Sequence, residues 1–235
     1  MSFDNPQEYC LKLHRLLSKA CVRFSYDCTH TQGNSLFIVC QNGNKLTDLI
    51  LNWERKVIKN GIYIMFEKGE TTAHGNDRAD RIVRIGINRE EDTLLQRLKT
   101  HYIGTMRRSV FRKHIGSCFL NPDNPDYRKE YETDTALLEQ KISEYIQNSI
   151  SFALIEVKDK SQRERLEEAL ISTISKCEEC TPSESWLGKY CKESKISGGN
   201  LWNVQGLKAT PLAAEEMSYI TDNAVMITEL DPFFV

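Results

Sequence analysis

A chain of 235 residues, 40% hydrophobic and 27% charged, is long and apolar enough to bury one substantial core, which excludes disordered, collagen-like and low-complexity proteins. Its longest unbroken apolar run, 36–40, is five residues, far short of the ~20 that cross a bilayer. The net charge of −2 hides an asymmetry: 93–122 contains no Asp or Glu but six Lys and Arg, leaving −8 on the rest of the chain.

The first residues lack the basic-then-apolar pattern of a secretory leader, so the reading is a cytoplasmic protein without a membrane partner. After an Asn5-Pro6 start signal, Tyr9, Leu13, Leu16, Leu17, Ala20 and Cys21 recur at helical spacing and predict an amphipathic helix over 5–21. A loop over 27–34, a strand over 36–40 and a helix over 46–57 follow, closed by Asn60-Gly61 as a C-cap signal. Residues 1–58 are thus expected to form a helical extension.

After Gly61 the period becomes that of strands: 62–67, a polar loop over 68–80, then 81–87. A helix is expected over 90–102, with Arg97 and His101 four apart on one face, and a short helix interrupted at Gly116 over 109–120. Helices over 134–147 and 161–177 flank a third strand, 152–157; beyond Cys180 only 225–230 resembles a strand. The pattern predicts an α+β fold, a small three-stranded, mainly antiparallel sheet flanked by helices. Its expected divisions are an extension at 1–58, a domain at 59–205, and a tail at 206–235 packed on that domain.

No glycine-rich phosphate loop, zinc-protease helix or hydrolase elbow occurs. What stands out is the stripe Arg97, Lys99, Arg107, Arg108, Arg112 and Lys113, with His101 and His114 beside it. Such a stripe on an otherwise acidic chain is the footprint of a polyanion-binding face, although a solvated helix face reads the same way. Tyr63 on a strand, Arg97 and His101 on a helix, and Glu167 in the 161–177 helix each have an ordinary explanation taken alone.

Taken together and in order, these residues resemble the GIY-YIG nuclease family. Gly61-Ile62-Tyr63 reproduces its first motif, and Arg84-Ile85-Gly86 its second, with Arg84 in place of the second tyrosine. Arg97-Leu98-Lys99-Thr100-His101 matches the helical Arg-x-x-x-His, and Glu167-Glu168-Ala169-Leu170-Ile171 resembles the Glu-x-x-Leu-Ile of the metal-binding acid. Asn203 in Leu201-Trp202-Asn203-Val204 is the candidate for the later asparagine, the similarity covers about 59–205, and Ser185-Trp186-Leu187-Gly188 resembles a bacterial branch with an N-terminal extension.

The resemblance implies a metal-dependent endonuclease acting on DNA. Arg97 would grip a non-bridging phosphate oxygen, and Glu167 would hold one Mg2+ or Mn2+ against the charge that grows as water adds. Tyr63 would help deprotonate that water; a phenol keeps its proton at neutral pH unless a cationic field, here expected from His101, Lys68 or Arg84, draws it off. Gly86 would let the strand approach the substrate, Arg84 would act as a second phosphate clamp, and Asn203 would complete the site. Arg107, Arg108, Arg112 and Lys113 would track the sugar-phosphate backbone. Glu168, about 100° around the helix from Glu167, is expected to face elsewhere.

Eight cysteines without a leader fit thiols in a reducing compartment. Cys177 and Cys180 have zinc spacing, with Cys191 eleven residues on, but no second close pair stands nearby. Two rival readings therefore accompany the nuclease: an inactive nucleic-acid-binding module on the same fold, and a zinc-stapled protein interaction domain.

Overall fold

The computed structural model describes residues 6–19, 23–25, 37–39, 58–74 and 77–224. In chain order the elements are α1 (Pro6–Lys19), β1 (Arg23–Ser25), β2 (Phe37–Val39), β3 (Gly61–His74), β4 (Asp77–Ile87), α2 (Leu94–Ile103) and α3 (Val110–Phe119). A 3-10 turn (Lys129–Glu132), α4 (Thr135–Ser149), β5 (Ile150–Glu156) and α5 (Lys160–Ser175) follow. A second 3-10 turn (Leu187–Tyr190), the one-turn α6 (Ser194–Ser197) and α7 (Ala214–Asn223) are the last of the described elements.

The fold is α+β, as expected. The main sheet has the order β4-β3-β5, both pairings antiparallel, while β1 and β2 form a separate parallel pair. The expected loop at 27–34, helix at 46–57 and strand at 225–230 lie outside the described residues. Helix α3 runs through Gly116 without the expected break, and α7 occupies a stretch in which no helix was expected.

Alternation along β3 sends Tyr63 and Met65 to one face of the sheet and Ile62, Ile64 and Phe66 to the other. The first face packs with Val83, Phe152 and Leu154 against α2, α3, α4 and the indoles of Trp186 and Trp202. The second packs against Leu166, Ala169 and Leu170 of α5, Met217 and Ile220 of α7, and Cys10, Leu13 and Leu17 of α1. The helix of the expected extension thus supplies part of the cover over the second face. Asp134 and Asp159 start α4 and α5 by accepting from the N–H groups of Leu137 and Gln162.

The hairpin is longer than its sequence suggests: β3 runs on to His74 and β4 begins at Asp77, so the described residues of 68–80 are strand rather than loop. Pairing passes from Phe66–Ile82 to Thr71–Asp80, so four residues of β3 stand against one of β4, a bulge whose Gly69 has φ +88°. Glu70 within this stretch, and Glu67 and Arg81 at its two ends, are held by hydrogen bonds to distant parts of the chain. The buried Glu67 accepts from the indole N–H of Trp186 and of Trp202, each at 3.1 Å, and from the Tyr145 hydroxyl. Glu70 pairs with the fully buried Arg81 at 2.6 Å and accepts from Ser183, while Arg81 donates to the Asn200 carbonyl.

These ties lay the 200–206 segment along β4, which would otherwise expose an unpaired edge. Trp202 N–H donates to the Val83 carbonyl at 2.7 Å. Asn203 then grips Ile85 with both ends of its amide, accepting from its N–H at 3.0 Å and donating to its carbonyl at 2.8 Å.

Candidate active site

Tyr63 sits at the centre of the sheet, opposite Gly86 on β4 and Leu154 on β5. A Cβ at Gly86 would lie 2.2 Å from the Tyr63 hydroxyl oxygen, so the glycine is the seat of the phenol ring. It makes room for a neighbouring side chain, rather than bringing the strand close to a substrate. Gly86→Ala is expected to displace the ring and cost about 1–3 kcal/mol of stability by overpacking, measured as a lowered midpoint of chemical unfolding.

The Tyr63 hydroxyl lies 2.9 Å from His101 Nε2, and His101 Nδ1 lies 2.8 Å from Ser109 Oγ, which also accepts from the N–H of Arg112 at the start of α3. Phenol, imidazole and hydroxyl thus form a buried row joining β3, α2 and α3. Burial pushes the His101 imidazole well below its ordinary pKa, reinforced by the charges of Arg84, Arg97 and Arg112. His101 is therefore neutral at physiological pH and does not supply the cationic field expected of it.

A cavity of about 740 Å3 opens at the β4 edge, between the α2–α3 layer and α5. Tyr63, Arg84, Arg97, Glu167 and Asn203 line it together, with His101 one hydrogen bond behind Tyr63. The structure therefore brings all four residues expected to be catalytic to one place. Arg97 and Glu167 engage no hydrogen bond or ion pair with their side chains among the described residues. Burial raises the Glu167 pKa; the neighbouring Glu168 adds to this, and Arg84, Arg89 and Arg97 oppose it.

Arg84 is held in place: Nη1 donates to the Trp202 carbonyl at 2.8 Å and the guanidinium lies 4.9 Å over the Phe111 ring, while buried Nε has no hydrogen-bond partner. Other lining residues carry no motif and were not anticipated as site residues. Arg89 follows the β4 end, Glu164 stands one turn before Glu168 on α5, and His114 on α3 has a buried Nε2 without a hydrogen-bond partner.

Several expectations need correction. Arg112 is not part of a surface stripe: its guanidinium is fully buried, paired with Glu139 at 2.8 Å and donating to the His101 carbonyl and Ser143 Oγ, so it cements α3 to α2 and α4. Glu168 does not face away but lines the same cavity as Glu167, because the opening is wider than one helical position. Lys68 lies in the bulge, exposed, and lines no part of the cavity. Asn203 lines the cavity, yet its amide is committed to Ile85 and so positions β4. Arg107, Arg108 and Lys113 are exposed, as a backbone-tracking surface requires.

Of the thiols once grouped by spacing, Cys191 stands apart, with Sγ 3.4 Å from Ser117 Oγ. Among the described residues no helix is long and apolar enough to cross a membrane.

A model of the GIY-YIG domain matches residues 40–218, a span that holds every element from β3 to α6 and part of α7. No curated protein and no solved structure matches the chain.

Proposed function

The chain belongs to the GIY-YIG domain family, a nuclease family, and from that membership we propose that it is a metal-dependent endonuclease hydrolysing DNA phosphodiester bonds. The observation that carries this reading is the convergence of Tyr63, Arg97 and Glu167 on one cavity, two of them with charged groups that form no side-chain hydrogen bond or ion pair among the described residues. An inactive binding module has no use for a half-buried carboxylate beside a bound phosphate, because the two repel.

Arg97 offers its planar fork to a non-bridging oxygen of the scissile phosphate, and Arg84, which also lines the cavity, adds a second clamp. That clamp takes over the place of the family's second tyrosine. Glu167, flanked by Glu164 and Glu168, is an oxygen donor suited to a hard divalent cation, Mg2+ or Mn2+. The fit is electrostatic: burial makes the lone Glu167 anion costly, and a cation relieves that cost. Such an ion, when bound, stabilises the charge that accumulates on the phosphate.

Tyr63 and His101 handle the proton. With its own proton on Nδ1, donated to Ser109, His101 presents the Nε2 lone pair to the Tyr63 hydroxyl. Tyr63 then accepts a proton from the attacking water while passing its own to His101. This needs a neutral imidazole, which burial and the surrounding arginines supply.

Arg107, Arg108 and Lys113 meet the DNA backbone beside the cavity. Changing all three to Ala should weaken binding to every sequence alike and lower the slope of log affinity against log salt by roughly one unit per lost contact. Unchanged affinity and slope would make them an ordinary solvated surface. The proposal as a whole is tested by incubating circular and linear DNA with the protein in Mg2+ and mapping the ends. Internal cuts in both are expected, whereas loss confined to the termini of linear DNA would contradict an endonuclease.

A further inference from the structure

On the other side of the sheet from Tyr63, side chains distant in sequence meet in a second cluster. Cys10, Cys177 and Cys180 are buried, and their Sγ atoms all lie within 4.8 Å of one another. Cys10 Sγ is 3.2 Å from Cys180 Sγ, and the fully buried His14 brings Nε2 to 3.2 Å from the same sulfur. From these positions we propose a structural zinc site with Cys10, His14, Cys177 and Cys180 as its four ligands, separate from the cavity of Glu167.

The donor set is chemically apt. Three thiolates and one imidazole are a closed tetrahedral set for Zn2+, soft enough to disfavour Mg2+ and Ca2+. With Zn–S of ~2.3 Å, the edges of such a tetrahedron are roughly 3.8 Å, so the 3.2 Å contacts would open by about half an ångström, while His14, which touches Cys180 but lies outside the trio of sulfurs within 4.8 Å of one another, would swing its ring toward Cys10 and Cys177. Cys10 and His14 are four apart on α1 and share one helix face, while Cys177 and Cys180, two intervening residues apart, follow directly on α5. His14 Nδ1 stands between the Asp80 carbonyl at 3.0 Å and the Ile82 N–H at 3.2 Å. Ligation through Nε2 leaves the proton on Nδ1, which donates it to that carbonyl, the outer contact that zinc-bound histidines ordinarily make, and the Ile82 N–H then gives up Nδ1 as its acceptor.

Such an ion would fasten α1 to the C-terminal end of α5, the helix that carries Glu167. Binding should depend on all four ligands and on neither the catalytic ion nor DNA.

The test uses full-length protein purified under reduction without chelator. Elemental analysis should find one zinc per chain, and cobalt exchanged for it should show the sulfur-to-cobalt charge-transfer band and intense visible bands of a tetrahedral thiolate site. His14→Cys should retain the metal with a shifted cobalt spectrum, Cys177→Ser should lose most of it, and Glu167→Ala should leave content and spectrum unchanged. The cobalt spectrum of the unaltered protein decides the matter even where a cysteine variant fails to fold. Absence of zinc together with absence of those bands, or a disulfide joining Cys10 to Cys180 in the purified protein, would overturn the site.

Discussion

Replacing Glu167 with Ala is expected to lower DNA cleavage by more than ~10³-fold while leaving DNA binding intact or slightly tighter. On the proposed mechanism the loss follows from removing the carboxylate that would hold the cation, and the tighter binding from removing a negative charge that would lie beside the phosphate. Glu168→Ala is no neutral control, since Glu168 lines the same cavity and should give a smaller loss. Ser161→Ala, at an exposed position on the same helix, serves instead and should cut DNA as the unaltered protein does.

A stability measurement gives a second, independent readout of Glu167. Its pKa is raised in the folded state, chiefly by burial, so the folded protein binds this proton more tightly than the unfolded chain. The associated stability is present at pH below the ordinary carboxylate range and is lost as pH rises through the raised value. In EDTA at neutral pH, Glu167→Gln should therefore unfold at or above the temperature of the unaltered protein, the gap closing on acidification. A variant destabilised at neutral pH would argue that Glu167 has a structural role.

Tyr63→Phe should reduce cleavage by about 10²–10⁴-fold, the range for a lost proton-transfer group, with little change in DNA affinity. It also leaves buried His101 Nε2 without its partner, at a cost of about 1–3 kcal/mol. The pH profile tests the imidazole. Because the His101 pKa is depressed well below 6.5, the group stays neutral, and able to accept a proton, down through pH 6.5. Any loss of rate that His101 causes therefore lies on the acid side of 6.5. Stability follows the same sign: the unfolded chain protonates first, so the contribution of His101 is complete above 6.5 and declines as pH falls below it.

The parts of this site that were legible in the sequence are those in which one element fixes one side chain. Tyr63 alternates into the first face of β3, and Arg97 and His101 share a face because they are four apart on α2. Glu167 could be assigned by its motif, but its neighbour Glu168 was misplaced, since helical angle alone does not say how wide the opening is. Arg112 counted as a surface charge because its partner, Glu139, is 27 residues away on another helix. The far half of the β3–β4 hairpin read as a loop because a polar residue within it, Glu70, answers to Ser183, 113 residues later, as Glu67 and Arg81 at its ends answer to Trp186 and Asn200. The cysteines show the same limit. Cys177 and Cys180 lacked a second pair only within reach of local spacing, while Cys10 and His14 arrive by the fold of the whole chain.

The account rests most directly on whether a bound phosphodiester is broken when a divalent cation is supplied. Protein and plasmid DNA mixed in EDTA should form a complex with the DNA intact, and titration with Mg2+ or Mn2+ should then convert the plasmid to cut forms in proportion to cation. Plasmid that stays bound and uncut at every concentration of either ion would contradict the account and identify the protein as a binding module on a nuclease fold.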